Sequence, residues 1–300
     1  MNKNKAKSIR QSRGDAVFDV SVCAIGILLV AIVLLPLLFI LAASFSDPDQ
    51  VLHGKVFIIP KGLTIEPYRL VFKNTDIWRG YRNTIFYTVA GTFINLVMTV
   101  MAAYPLARKE MKGRRFLSLI VIFTMYFNGG IIPTYLLVRD LGMYNTVWAI
   151  LIPSAISTYN LIVARTFFEQ SIPPDLYESA KLDGCGSMRT LISIVLPLSK
   201  AILAVLVLYY GVGHWNAYFN ALIYIRNEEL HPLQIVLRNI LLLSQTEQMG
   251  SNDVGMGEKI KMMEGIKYSV IVVSSVPVLL LYPFVQKYFV KGVMIGAVKG

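Results

Sequence analysis

Residues 172–197 read IPPDLYESAKLDGCGSMRTLISIVLP, a polar insert between two long apolar runs. Physically the stretch reads as a helix, a turn and a second helix. Pro173 and Pro174 suit a first helical turn, where a missing N–H is no loss, and Asp175 and Glu178 place negative charge near the positive end of the helix dipole. Gly184 can take the left-handed conformation that ends the helix, and Ser187 is positioned to cap the next one, which runs to Pro197. The expected object is a compact surface helix projecting from an apolar body.

That body is too apolar for a soluble domain: 55% of 300 residues are hydrophobic and 16% charged, with mean hydropathy +0.57. An apolar helix needs about 20 residues to cross the hydrocarbon layer. Runs at roughly 17–43, 84–107, 116–138, 147–168, 199–225 and 268–290 pass that test, which predicts an all-α integral membrane protein of about six spans in a single domain, 1–300.

The net charge of +11, 29 Lys and Arg against 18 Asp and Glu, would suggest nucleic acid in a soluble protein. Here its distribution reads as topology instead. Lys3, Lys5, Lys7, Arg10 and Arg13 precede the first run; Arg108, Lys109, Lys112, Arg114 and Arg115 stand against Glu110 between the second and third; Lys287, Lys291 and Lys299 lie near the C-terminus. Both termini are therefore expected in the cytoplasm, leaving segments from Ser44 to Asn83, Arg139 to Thr146 and 226–267 outside. The first run follows a basic start, as in a signal peptide, but it is too long and has no convincing small-residue cleavage site before Ser44, so it reads as a retained helix. Cys23 and Cys185 suggest neither a disulfide framework nor a metal cluster.

No phosphate-binding GxxxxGK[ST] loop, no dinucleotide GxGxxG and no HExxH occurs, and the three histidines are His53, His214 and His231. If ATP drives this protein, another chain hydrolyses it. Prolines and glycines interrupt most runs, notably Pro36, Pro105, Asn128-Gly129-Gly130 with Pro133, Pro153, Gly211 with Gly213, and Pro277 with Pro283. Such breaks suit helices that line a wet cavity, and ordinary membrane-helix kinks explain any single one equally well.

The opening stretch resembles the coupling-loop signature of ABC importer permeases: EAA, three residues, Gly, nine residues, then I-x-LP. Glu178, Ala180, Gly184, Ile194, Leu196 and Pro197 stand at the matching places; Ser179 replaces the usual alanine, and Cys185 the alanine common after Asp183-Gly184. The likeness covers nearly the whole chain and is nearest to the second permease subunit of maltose-transporter-type carbohydrate importers. It includes Asn128 to Tyr135, Arg165 to Phe168, Trp215-Asn216, His231 to Gln234, and Gln286 to Gly292. The resemblance implies the type I importer permease fold in a bacterial plasma membrane. It implies a related second permease, two ATP-binding subunits that carry ATP and Mg, an extracytoplasmic solute-binding protein, and an oligosaccharide as substrate. It makes 172–197 a cytoplasmic coupling loop in which Glu178, Ser179, Ala180, Asp183, Gly184, Leu196 and Pro197 meet the ATPase, Glu178 facing a basic residue there. This chain itself is then no enzyme and holds no cofactor.

Sugar rings offer apolar faces rimmed by hydroxyls, so a sugar path wants aromatic faces and neutral polar groups. Tyr210, His214 and Tyr218 recur every four residues and are expected on one face of the fifth run, with Trp215, Asn216, Phe219 and Asn220 nearby. An interfacial aromatic belt with an interhelical Asn216 bond explains the same residues. Tyr126, Asn128, Tyr159 and Asn160 are weaker candidates. An ion-gradient-driven secondary transporter is the alternative, but it would need an intramembrane carboxylate, and only Asp19 falls within a run, at its cytoplasmic end. A sensor or scaffold without transport would leave the signature unexplained. In the outer segment, polar Ser244 to Gly257 reads as a flexible tether between short helices at Leu237–Leu243 and Ile260–Met263, suited to probing the binding protein.

Overall fold

The computed structural model describes residues 13–250 and 256–297; the lysines at positions 3, 5, 7 and 299, Arg10, and residues 251–255 lie outside them. The described residues form helices and connecting segments, with no strand among them. In order these are α1 (Arg13–Ser44), α2 (Pro48–Leu52), α3 (Glu66–Lys73), α4 (Thr75–Ala107), α5 (Arg114–Tyr126), α6 (Ile131–Asp140), α7 (Trp148–Leu151), α8 (Thr158–Ser171) and α9 (Pro174–Leu182). There follow α10 (Ser187–Thr190), a π-helical turn (Leu191–Val195), α11 (Leu196–Leu198), α12 (Lys200–Trp215), α13 (Phe219–Tyr224), a 3₁₀ turn (Glu228–Leu230), α14 (Leu233–Gly250) and α15 (Met256–Ala297).

Among the described residues, three helices, within α1, α4 and α15, are long and apolar enough to cross a membrane. The number rises to five if α5 with α6, bent by 113°, and α10–α11 with α12, bent by 85°, each make one span. The breaks are written in the sequence. Between α5 and α6 stand Asn128, Gly129 and Gly130, the last at φ +90°, where a side chain is disfavoured. The fourth expected span, 147–168, is divided into α7 and α8 around Pro153. Two expectations need correction. Gly186, not Ser187, occupies the N-cap of α10 and makes no side-chain cap bond. Ser244–Gly250 is not a flexible tether but the last turns of α14; Gln245, Glu247, Gln248 and Met249 are good helix formers, and glycine enters only where the helix ends.

The chain divides into two compact units. One comprises residues up to Val71 with Ser244–Val272. In it Ala42, Ala43, Val51 and Val56 form a small core against Phe39 and Tyr268, and Gly265 leaves room for the rings of Pro48 and Pro67. The outward side chains of α1 from Val17 to Leu37 stay uncovered, a surface that lipid or another chain must cover.

The other unit, Phe72–Leu243 with residues from Val273, carries the main core. Val100, Ala103, Leu106 and Ala107 of α4 pack on Leu161, Ala164 and Phe168 of α8 and on Ile202 and Leu206 of α12. A second cluster joins Tyr87 of α4 to Ala149–Leu151 of α7, Tyr224 of α13 and Ile235 of α14.

Candidate functional site

The polar insert folds as its residues dictate. Pro173 is the N-cap of α9 and Pro174 its first residue, with Asp175 in the first turn. At the other end the Cys185 N–H reaches the Ala180 carbonyl (2.8 Å) and the Gly184 N–H the Lys181 carbonyl (3.1 Å), the paired bonds of a Schellman closure. Gly184 sits at φ +73°, so glycine is required there by backbone geometry. Of the signature residues, Ala180 is 3% exposed and turned inward. Glu178, Ser179, Asp183, Gly184 and Pro197 are exposed, and Leu196 is half-buried. Leu182, at 89% exposure, is almost bare, with Met188 and Ile192 also uncovered.

Beneath α9 lies a contact that the sequence did not disclose. The Arg108 guanidinium sits 4.0 Å from the centre of the Tyr177 ring, donates to the Tyr104 hydroxyl (3.2 Å) and donates twice to Glu110 Oε2 (3.1 and 2.6 Å). Arg108 is the C-cap of α4, so one side chain ties the end of that core helix to α9. Burial works against its charge, but Glu110 and Tyr104 outweigh it and the guanidinium is held more firmly protonated than usual. Burial likewise pushes the Tyr177 phenol up, the fields of Tyr104 and Glu110 adding to it and Arg108 opposing.

The aromatic candidates separate into two groups. Tyr210 and His214 share the face of α12 turned to α4, both nearly buried. The Tyr210 hydroxyl bonds Thr99 Oγ1 (2.6 Å) and accepts from the Ser157 N–H (3.2 Å). Asn95 donates to the Ser154 carbonyl, and its Oδ1 meets His214 Nε2 at 2.6 Å, which makes Nε2 the protonated ring nitrogen. These side chains satisfy backbone groups freed by the α7–α8 break, as an interrupted membrane helix demands. Trp215 is buried as well, its Nε1 donating to the Ser274 carbonyl (3.3 Å).

Tyr218 does not continue their face, as the spacing suggested. The Asn216 and Ala217 N–H groups close α12 on Val212 and His214, and Tyr218 becomes the N-cap of the separate α13. Asn216 and Tyr218 are exposed, and Asn220 is partly so, donating to Ser154 Oγ (3.4 Å). Of the weaker candidates, Tyr126, Asn128 and Tyr159 are exposed and Asn160 is buried.

A second feature escaped the sequence reading. Asn83 donates to the Glu229 and His231 carbonyls (2.7 and 3.0 Å), Tyr87 to the Leu230 carbonyl (2.8 Å), and Thr84 Oγ1 accepts from the Leu233 N–H (2.8 Å). One face of α4 thus clamps the segment that leads into α14. Three polar residues at i, i+1 and i+4 in an apolar run were the available signal.

The sequence model for binding-protein-dependent transport system inner membrane components matches residues 77–295. The chain belongs to this family. As an inner membrane transport component it is not an enzyme. Protein LplC of Bacillus subtilis (strain 168) is 43% identical over 98% of both chains. The polygalacturonan/rhamnogalacturonan transport system permease protein YtcP of the same organism is 39% identical, over 95% of this chain and 99% of its own. Among solved structures, a bacterial ABC transporter involved in the import of the acidic polysaccharide alginate contains a chain that superposes with a TM-score of 0.86 at 34% identity. The match covers 94% of this chain and 100% of that one. The fold of this transport component is therefore the all-α type I ABC importer permease fold, and the matched region spans both the 172–197 insert and the α12–α13 break.

Proposed function

We propose that the chain is a permease subunit of an ATP-driven oligosaccharide importer in a bacterial plasma membrane. In this reading it forms half of the translocation path beside a related second permease. Two ATP-binding subunits supply hydrolysis with their own ATP and Mg, and an extracytoplasmic solute-binding protein delivers the sugar. The polygalacturonan and rhamnogalacturonan carried by YtcP and the alginate carried by the structural relative support a polysaccharide-derived cargo.

The observation that carries the coupling role is the 172–197 insert. A Schellman-closed helix that leaves Leu182 bare beside Glu178, Ser179 and Asp183 is a rigid knob with an apolar tip and acidic flank. Such a knob fits a groove of complementary charge. Asn216 and Tyr218, exposed at the α12–α13 break, and the partly exposed Asn220 are the sugar contacts in this reading. Tyr210, His214 and Trp215 hold the break in shape.

Gly184→Val tests the coupling. A β-branched residue at φ +73° would open the turn and misplace α9. In the reconstituted transporter, uptake should fall at least tenfold, and the ATPase should no longer respond to the loaded binding protein. Uptake and ATPase stimulation unchanged in an assembled Gly184→Val complex would overturn the assignment.

A further inference from the structure

At the start of α5 the chain encloses an open cavity of about 810 Å³. Four cations line it: Lys109, Arg114, Arg115 and Arg165. One carboxylate offsets them, Glu169, paired with Arg114 and, at 3.7 Å, with Arg165. Arg165 also donates to Ser118 Oγ (3.1 Å), while its Nε is buried without a partner. Lys109 and Arg115 have no ion-pair partner among the described residues. The site thus holds an uncompensated positive charge and an unmet buried donor.

Its other wall is apolar. Leu119 and Ile122 continue the lining along successive turns of α5, and both are exposed. The basic end lies in the loop that charge asymmetry assigns to the cytoplasmic side, so the apolar wall runs towards the membrane interior. A sugar site would need aromatic faces and neutral hydrogen-bonding groups; Ser118 is the one neutral polar side chain in the lining, and no aromatic residue belongs to it. Cations at the headgroup level above an apolar wall match a phosphodiester with an acyl chain attached.

We propose that this cavity is a binding site for an anionic phospholipid. The phosphate is held by Arg115, Lys109 and Arg165, and the first part of an acyl chain lies along Leu119 and Ile122. The site is separate from the sugar contacts and from the coupling helix, and does not depend on either assignment.

The test uses the whole transporter, purified in detergent with its partner subunits. Binding of short-chain phosphatidylglycerol and phosphatidylcholine is measured by native mass spectrometry for the wild type, for Lys109→Gln/Arg115→Gln and for Lys112→Gln. Lys112 is a cation of the same loop that does not line the cavity. A cation near an anionic lipid is worth about fivefold in affinity, so the double variant should bind phosphatidylglycerol roughly thirtyfold more weakly. Lys112→Gln should match the wild type, and phosphatidylcholine should bind weakly throughout. Inorganic phosphate and digalacturonate, added at the lipid's concentration, should not displace phosphatidylglycerol. Equal binding of the two lipids, or an unaltered double variant, would overturn the proposal. Displacement by inorganic phosphate would make this a free-anion site, and displacement by digalacturonate would assign the cavity to the sugar route; either result also overturns it.

Discussion

Gly91 shows how tightly single residues are set. A β-carbon there would overlap the His214 imidazole, whose Nε2 is already committed to Asn95. Gly91→Ala should therefore shift His214 and loosen the α4–α12 contact, lowering stability by about 1–3 kcal/mol as overpacked sites do. Thermal unfolding of the purified complex measures it, and a transition at the wild-type temperature would contradict it. Tyr210 and Tyr218 offer a sharper contrast. Tyr210→Phe removes the acceptor for the Ser157 N–H and the partner of Thr99, a loss of about 1–2 kcal/mol since interhelical bonds in membranes are individually modest. Tyr218→Ala removes an exposed ring and should leave unfolding unaltered while uptake falls severalfold. The reverse pattern, a destabilised Tyr218→Ala with normal uptake per assembled complex, would return both residues to packing. Sequence spacing put the two tyrosines on one face because a period of four is visible in letters. The chain break at Asn216, set by Val212 and His214 carbonyls, is not.

At the scale of elements, α9 was legible almost to the residue, because its start and stop depend on local chemistry: two prolines, an acidic first turn and a glycine forced to positive φ. The link from α9 to α4 was hidden, because Arg108 and Tyr177 are 69 positions apart in the sequence and no periodicity connects them. Arg108 holds Tyr177 by its planar face, and a stacked guanidinium in partly buried surroundings contributes about 0.5–2 kcal/mol. That is too little to decide folding. It is enough to decide whether movement of α9 is passed to α4 or absorbed in a slack contact. Arg108→Ala should therefore leave the complex assembled and its ATPase active, while the sugar carried per ATP falls severalfold. Arg108→Lys, with charge but no planar face, should restore little of it. A normal transport-to-hydrolysis ratio in Arg108→Ala would reduce the contact to local packing.

For the whole molecule, composition and run length announced a helical membrane protein, while the number of crossings depends on how bent pairs are counted. The prolines and glycines that break α5 from α6 and α7 from α8 were visible, but their angles follow from which neighbours satisfy the freed backbone, a tertiary matter. The same lesson applies to the segment 226–267. Its polar letters suggested a flexible tether, yet α14 carries helix to Gly250, and Asn83, Thr84 and Tyr87 fix the approach to it at Glu229–Leu233. A clamped approach and a continuous helix transmit position better than a loose loop, because little conformational freedom is left to absorb a push. If this segment meets the solute-binding protein, its length sets where contact is made. Deleting Gln248–Gly257 removes the end of α14, the connection and the first two residues of α15, which shortens the segment without touching the Asn83, Thr84 and Tyr87 bonds. The membrane complex should still assemble and hydrolyse ATP at its basal rate, while stimulation by the sugar-loaded binding protein falls at least fivefold. Substituting Asn83→Ala in the full-length chain should give a milder loss of the same kind, since it frees the Glu229 and His231 carbonyls but keeps the helix. Stimulation equal to wild type in the deletion variant would mean that the binding protein docks elsewhere and that 226–267 serves the transporter only as a connection between spans.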